Sequence, residues 1–150
     1  MINAVMAAGV TTVADAFDRA RALVKILGQE DFVALAVAFK RIRNILSGTG
    51  PQVGPDRDLL QEPSERALYE AFEILKKNVR TALKDCDYLT ALREIAGVRK
   101  PVDRFFDDVL VMDEDRSLRR NRLALLQEIS ALFLSVADIS EIVQQGGNDE

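Results

Sequence analysis

Residues 101–140, PVDRFFDDVLVMDEDRSLRRNRLALLQEISALFLSVADIS, leave the fold little freedom. Their apolar positions recur every three or four residues, the period of a helix and not of a strand. The segment reads as two amphipathic helices joined by an acidic hinge, Met112-Asp113-Glu114-Asp115. The first opens at Pro101 and carries Val102, Phe105, Phe106 and Val109. The second is capped by Asp115, begins with an arginine cluster, and aligns Leu118, Leu125, Ile129, Leu132 and Val136. The same period governs the rest of the chain, and no alternating strand pattern interrupts it. The predicted class is all-α: a helical bundle preceded by a small helical subdomain.

Upstream, Ile2 to Ala8 predicts a short helix closed by Gly9. Thr11 or Thr12 caps the next helix, which puts Val13, Phe17, Val24 and Leu27 on one face, with Gly28 as a left-handed stop. Asp31 caps a helix reaching Leu46, with Phe32, Ala36, Phe39 and Leu46 at helical spacing. Residues 47–62, SGTGPQVGPDRDLLQE, break the pattern with glycine and proline. They predict a linker that lets the two sides pack at an independent angle. Pro63 then starts a long helix to about Lys84, in which Leu68, Phe72, Leu75, Val79 and Cys86 form one stripe. Asp85 or Asp87 begins the next helix, with Leu89, Leu92 and Ile95 inward and Gly97 as its stop. The expected organisation is a subdomain over 1–47, a linker over 48–62, a bundle over 63–143 and a disordered tail over 144–150, with Asp138 opening a last short turn.

A chain of 150 residues suits one domain that buries roughly 68–70% of its unfolded surface. No stretch approaches the ~18 uninterrupted apolar residues a membrane span needs. The N-terminus has no basic segment followed by a long apolar core, so no secretory signal is expected. The single cysteine, Cys86, excludes an internal disulfide and fits a reducing compartment. The expected location is cytoplasmic, without membrane or DNA partners.

Histidine is absent, which removes the commonest general base and the commonest neutral metal ligand. A di-iron bundle needs Glu-x-x-His motifs, zinc needs a Cys/His cluster, and calcium needs a twelve-residue loop with a central glycine. None of these occurs, and the acids at 113–115 read as a hinge and a cap. Cys86 has no activating base, and no phosphate loop or dinucleotide fingerprint is present. No catalytic residue, metal or cofactor is expected in this chain.

The basic residues remain. Net charge is −4, which weighs against a general nucleic-acid binder. All 20 Lys and Arg, however, lie between Arg19 and Arg122, so a basic face can coexist with an acidic rim. Arg116, Arg119 and Arg120 form one stripe where a helix begins. Cations oppose the macrodipole there, so either a phosphate partner or ion pairing with neighbouring acids has to explain them. Lys76, Arg80 and Lys84, with Lys77 beside them, form a second stripe, either solvated or suited to phosphates. Lys40 and Arg41 look outward, toward phosphate, a subunit interface or solvent, while Arg43 shares the face of Phe32 and Phe39. Arg122 falls inside the apolar stripe of its helix and is expected to be buried and structural, paired with Asp103, Asp107 or Asp108.

Three motifs in this order, KRIRNIL at 40–46, PVDRFFDDVLVM at 101–112 and RRNRLALL at 119–126, resemble the bacterial glycyl-tRNA synthetase beta subunit. The resembling part is its C-terminal helical anticodon-binding domain of the DALR type. It covers most of the chain and is weakest over 47–62 and after Val143. The resemblance implies an α2β2 enzyme that ligates glycine to its tRNA with ATP, the alpha subunit holding the class II catalytic core. This chain is then expected to be one piece of a longer subunit, with Met1 an internal residue and the catalytic residues elsewhere. Glycine-specific tRNA and the alpha subunit are the implied partners. Anticodon bases would stack on arginine planes and on Tyr69 or Tyr88. The other expectation is a helical protein-interaction module with basic stripes and no RNA specificity.

Overall fold

The computed structural model describes residues 12–139. Six α-helices and one 3-10 turn make up this region: α1 (Val13–Ile26), α2 (Glu30–Leu46), the turn Arg57–Leu59, α3 (Pro63–Lys84), α4 (Tyr88–Ala96), α5 (Arg99–Asp108) and α6 (Arg116–Leu134). There is no strand among the described residues. The expected helix over 2–8 and the tail over 144–150 lie outside the described residues.

One apolar core joins every helix. The long helix α3 packs on α4, α5 and α6; α1 lies on α4, and α2 lies on α4, α5 and α6. Phe32, Phe39, Phe105 and Phe133 are its largest fully buried side chains. Phe39 of α2 meets Phe133 of α6 with ring centroids 5.2 Å apart. The residues before and after the 47–62 loop therefore share a core, and the independent angle expected from its glycines and prolines is not what forms. The loop is tied down along α6 instead. Asn121 accepts from Asp56 N at 2.6 Å and donates to Asp56 O at 3.0 Å. Gln127 does the same six residues on, accepting from Gln52 N at 2.9 Å and donating to Gly50 O at 2.9 Å. Gly54 sits between these two ties at φ +114°, where a Cβ would meet Asp56 N at 3.1 Å.

Helix α1 turns the other way from its expected face. Val13, Phe17 and Val24 are exposed, and Ala16, Ala22, Leu23 and Ile26 are buried. The sequence offers two apolar stripes, and the buried one, on which Leu23 and Ile26 are fully enclosed, also carries Arg19 and its tertiary partners. Its guanidinium donates to Ser135 O at 2.7 Å and Val136 O at 3.0 Å, neutralising carbonyls that follow α6. It also lies 4.7 Å over the Tyr88 ring. Leu27 closes α1 in the right-handed region, so Gly28 does not serve as a left-handed stop.

Two helix starts also differ, since α5 begins at Arg99, two residues before Pro101, and α2 has another cap. Gln29, not Asp31, precedes α2, and Asp31 instead accepts from Arg99 Nη1 at 2.7 Å. Arg43 is exposed although it projects onto the stripe of Phe32 and Phe39, because the last turn of α2 lies at the core's edge, with Ile45 and Leu46 only half-buried. Cys86 leaves the α3 stripe altogether and is exposed. The helix ends at Lys84, Cys86 N donates to Leu83 O at 3.1 Å, and Asp87 N donates to Ala82 O at 2.9 Å. These bonds form a Schellman cap with Cys86, φ +54°, in the left-handed position usually given to glycine.

Candidate nucleic-acid interface

The N-terminal turns of α6 set the geometry. Asp115 accepts from Ser117 N at 2.9 Å and Leu118 N at 3.3 Å, the N-cap its position predicts. Two turns in, Arg122 is buried, only 3% exposed. Its partners are not those expected. Nη2 donates to Glu65 Oε1 of α3 at 2.7 Å, and Nη1 to Leu110 O at 2.7 Å and the hinge carboxylate of Asp113 at 3.4 Å. Asp103 is paired with Arg99, Asp108 accepts from the Ser64 hydroxyl, and Asp107 is exposed and plays no part in the clamp. The reason is the turn after α5: the chain leaves that helix at Asp108 and brings the Leu110 carbonyl and Asp113 over Arg122.

Glu65 has a second task, since its Oε1 also accepts from Glu62 N at 3.1 Å at the start of α3. Burial opposes the Arg122 charge, but the hydrogen bond and charge of Glu65, with Asp113 behind them, outweigh it and hold the guanidinium above its ordinary range. One side chain thus fixes the start of α3, the hinge and α6 together.

The arginine stripe itself is treated differently. Arg116 and Arg120 are exposed and make no ion pair among the described residues, while Arg119 is half-buried and donates to Asp113 O at 3.4 Å. Of the nearby acids, Asp113 is engaged by Arg122 and by Asp115 N at 2.9 Å and Asp115 by its own helix, while Glu114 is exposed and pairs with neither arginine. Two guanidinium groups thus stand in water at a helix N-terminus, against the macrodipole.

Two members of the basic stripe of α3, Lys76 and Arg80, line the seam with α6. Lys76 is half-buried, 3.0 Å from Glu73 and 5.5 Å over the Phe72 ring. Lys77, Arg80 and Lys84 are exposed and form no ion pair among the described residues. Between the helices lies a groove of about 480 Å³, floored by Phe72, Leu83 and Leu132 and edged by Lys76, Arg80 and Glu128. The structure brings Lys76 and Arg80 together on this groove. Lys40 and Arg41 are elsewhere: Lys40 is half-buried, and the Arg41 guanidinium lies 4.3 Å over the Phe106 ring in a separate groove between α2 and α5, beside Asp103 and Asp107.

Tyr69 is half-buried on the α3 surface and open to a stacking partner. Tyr88 is not. It is buried, with its hydroxyl donating to Asp15 and Arg19 across its ring. Burial first, and then the bond to Asp15, pushes its hydroxyl up to about 12. The roles of Arg19, Asn121 and Gln127 are not legible in the sequence, because polar side chains that tie loops and helix ends have no period of their own. No cluster of three or more metal-ligating side chains occurs among the described residues.

A family model described as the DALR anticodon binding domain matches residues 35–142, from the middle of α2 through the loop and the bundle. The chain belongs to the DALR anticodon-binding domain family. The match takes in half of α2 and the loop, both of which periodicity alone sets outside the bundle, in keeping with their shared core. The domain is also similar to glycine–tRNA ligase beta subunits. That of Acidobacterium capsulatum is 46% identical over 152 residues, covering 95% of this chain and 22% of the relative. The Vibrio cholerae subunit is 44% identical over 142 residues, 93% of this chain and 21% of the relative. The Myxococcus xanthus subunit is 45% identical over 147 residues, 95% and 21%. The chain spans about a fifth of the length of these relatives. No helix of the described domain is long and apolar enough to cross a membrane.

Proposed function

We propose that the domain reads the anticodon of glycine tRNA as part of a glycine–tRNA ligase beta subunit. The observation that carries this is the pair Arg116 and Arg120, exposed at the start of α6 with no anionic partner among the described residues, in a member of an anticodon-binding family. Anticodon bases are unstacked in a single-stranded loop, where planes can stack on them and donors can reach their edges. Arg116, Arg119 and Arg120 supply planes and donors. Lys76, Lys77, Arg80 and Lys84 steer the phosphates along the α3–α6 seam. Lys40 and Arg41, on the other groove, are a secondary contact. Arg122 acts indirectly, by fixing the helix on which the arginines ride.

In this reading the domain turns over no substrate and needs no cofactor of its own. The ATP-dependent ligation belongs to the assembled cytoplasmic enzyme, with an alpha subunit as partner. Because the net charge is −4 and the contact area small, binding by the isolated domain is micromolar or weaker and steeply salt-dependent. Gel-shift titration with glycine tRNA and an anticodon-swapped control tests it. Arg119→Ala/Arg120→Ala should reduce the preference for the glycine anticodon. Equal binding to both RNAs by the wild type, or tight salt-insensitive binding, sinks the proposal.

A further inference from the structure

We infer that the recess between the 3-10 turn and the first turns of α3 is a nucleobase pocket that takes an unstacked cytosine. This rests on the anticodon reading above and adds the place where a base, not a phosphate, is held. The recess encloses about 420 Å³ and is lined by Arg57, Asp58, Leu60, Arg66, Tyr69 and Glu70, within the ordinary range for ligand pockets of roughly 300–1,000 Å³.

The parts match what an unstacked base requires. Leu60 is buried and forms an apolar floor. Arg66 Nε donates to Leu60 O at 3.2 Å, which fixes the guanidinium plane while its terminal nitrogens have no partner among the described residues. Tyr69 offers a half-buried ring, so the pocket has both kinds of stacking surface used for single-stranded bases. Asp58 and Glu70 are exposed, and their carboxylates have no hydrogen-bond donor among the described residues. The loop wall is held in place, since Asp56 is tied to Asn121 through both backbone groups and accepts from Asp58 N at 2.9 Å.

The acids and arginines together narrow the choice to cytosine or guanine, and the sequence of the glycine anticodon favours cytosine. A carboxylate accepts from the exocyclic amine of cytosine, and a guanidinium donates to its ring nitrogen and carbonyl. Uracil turns a carbonyl toward the same carboxylate and is repelled. Adenine is better served by a side-chain amide, which the pocket lacks. The two carboxylates balance Arg57 and Arg66, so the recess lacks the net positive charge of a phosphate site, in contrast to the groove edged by Lys76 and Arg80. The pocket and that groove follow one another along α3, with Arg66 and Arg80 roughly 20 Å apart along the helix axis. A strand held by phosphates in the one can therefore place a base in the other. Glycine codons begin with two guanines, so every glycine anticodon supplies cytosines.

The test is fluorescence anisotropy of the 150-residue chain with a glycine anticodon stem-loop and with the same loop carrying uridines for the anticodon cytosines. The wild type should prefer the cytosine loop by about tenfold or more. Asp58→Asn/Glu70→Gln should erase that preference, mainly by weakening the cytosine loop, with the melting temperature unchanged. Tyr69→Ala should weaken both loops by about fivefold or more, and Tyr69→Phe should restore them. If the double variant keeps the wild-type preference, or gains affinity equally for both loops, the pocket assignment is overturned while the anticodon reading stands. If the wild type binds neither loop, the anticodon reading itself fails and the pocket falls with it.

Discussion

Arg122 and its neighbours Arg116 and Arg120 lie within two turns of one helix, yet their surroundings are opposite. Arg122 is sealed under the hinge and held by Glu65, Asp113 and the Leu110 carbonyl. Arg116 and Arg120 stand in water with no ion pair among the described residues. Side-chain chemistry does not separate them. Position relative to α3 and the hinge does, because a helix moves its side chains about 100° per residue. A buried guanidinium must be matched, so it reports on the fold, whereas an exposed and unmatched one is available to a ligand.

The largest expected effect tests the buried side of this contrast. Arg122→Ala leaves Glu65 buried without its cation and should cost about 3–5 kcal/mol, read as a fall in the urea midpoint. Arg122→Met with Glu65→Leu should recover much of that loss, since well-packed apolar pairs often match buried ion pairs. A cost below about 1 kcal/mol in Arg122→Ala, on the scale of exposed ion pairs, would mean the clamp is no more than a surface pair.

A middle-sized effect concerns Arg19 and Tyr88, the other arginine network that joins distant elements. The folded Tyr88 hydroxyl titrates at about 12, above its ordinary value of 10.0. A raised value means the protonated form is favoured on folding. That contribution is whole below pH 10 and is lost as pH rises toward 12. Tyr88→Phe should therefore flatten the fall in stability between pH 10 and 12, measured by chemical denaturation. An unchanged alkaline limb would show that the network does not hold the hydroxyl. Acid should weaken the same network from the other side. Burial opposes ionisation of Asp15, but its bonds from Tyr88 and Arg19 win and hold it below its ordinary value. Its contribution is present above that ordinary value and is lost as pH falls through the lowered one.

The smallest effect on stability belongs to the exposed arginines. Arg116→Ala/Arg120→Ala should shift stability by no more than about 0.5 kcal/mol. Their signature is in binding: removing one phosphate-binding cation should reduce the salt slope by about 0.7 for a single strand. A large drop in stability without a change in slope would place them with Arg122 and erase the distinction.

Among the described residues, helix number, order and approximate ends were legible because the apolar period is strong from Phe32 onward and because Asp115, Asp87 and Pro63 stand where caps and first turns need them. The inward turn of Arg122 was also legible, from its place in the stripe. Its partners were not, since Glu65 is 57 residues away and nothing local marks it. Cys86 misled because periodicity continues past the point where a helix stops, and the left-handed cap that stops it is made by carbonyls. Helix α1 misled because two apolar stripes compete, and only the tertiary contacts, with Leu23 and Ile26 enclosed and Arg19 reaching the end of α6, select one. The recess at Tyr69 was invisible, since it needs a loop and a helix brought side by side.

The sequence by itself determined the all-helical class, the apolar stripes, the cap at Asp115 and the family, because each rests on local spacing or on motifs read in order. Tertiary structure alone decided which arginine is sealed, which face of α1 is wet, and that the glycine-rich loop is tied to α6. Those outcomes depend on which groups meet across the core. Burying a charge or a backbone amide is favourable only when a partner from another element arrives to match it.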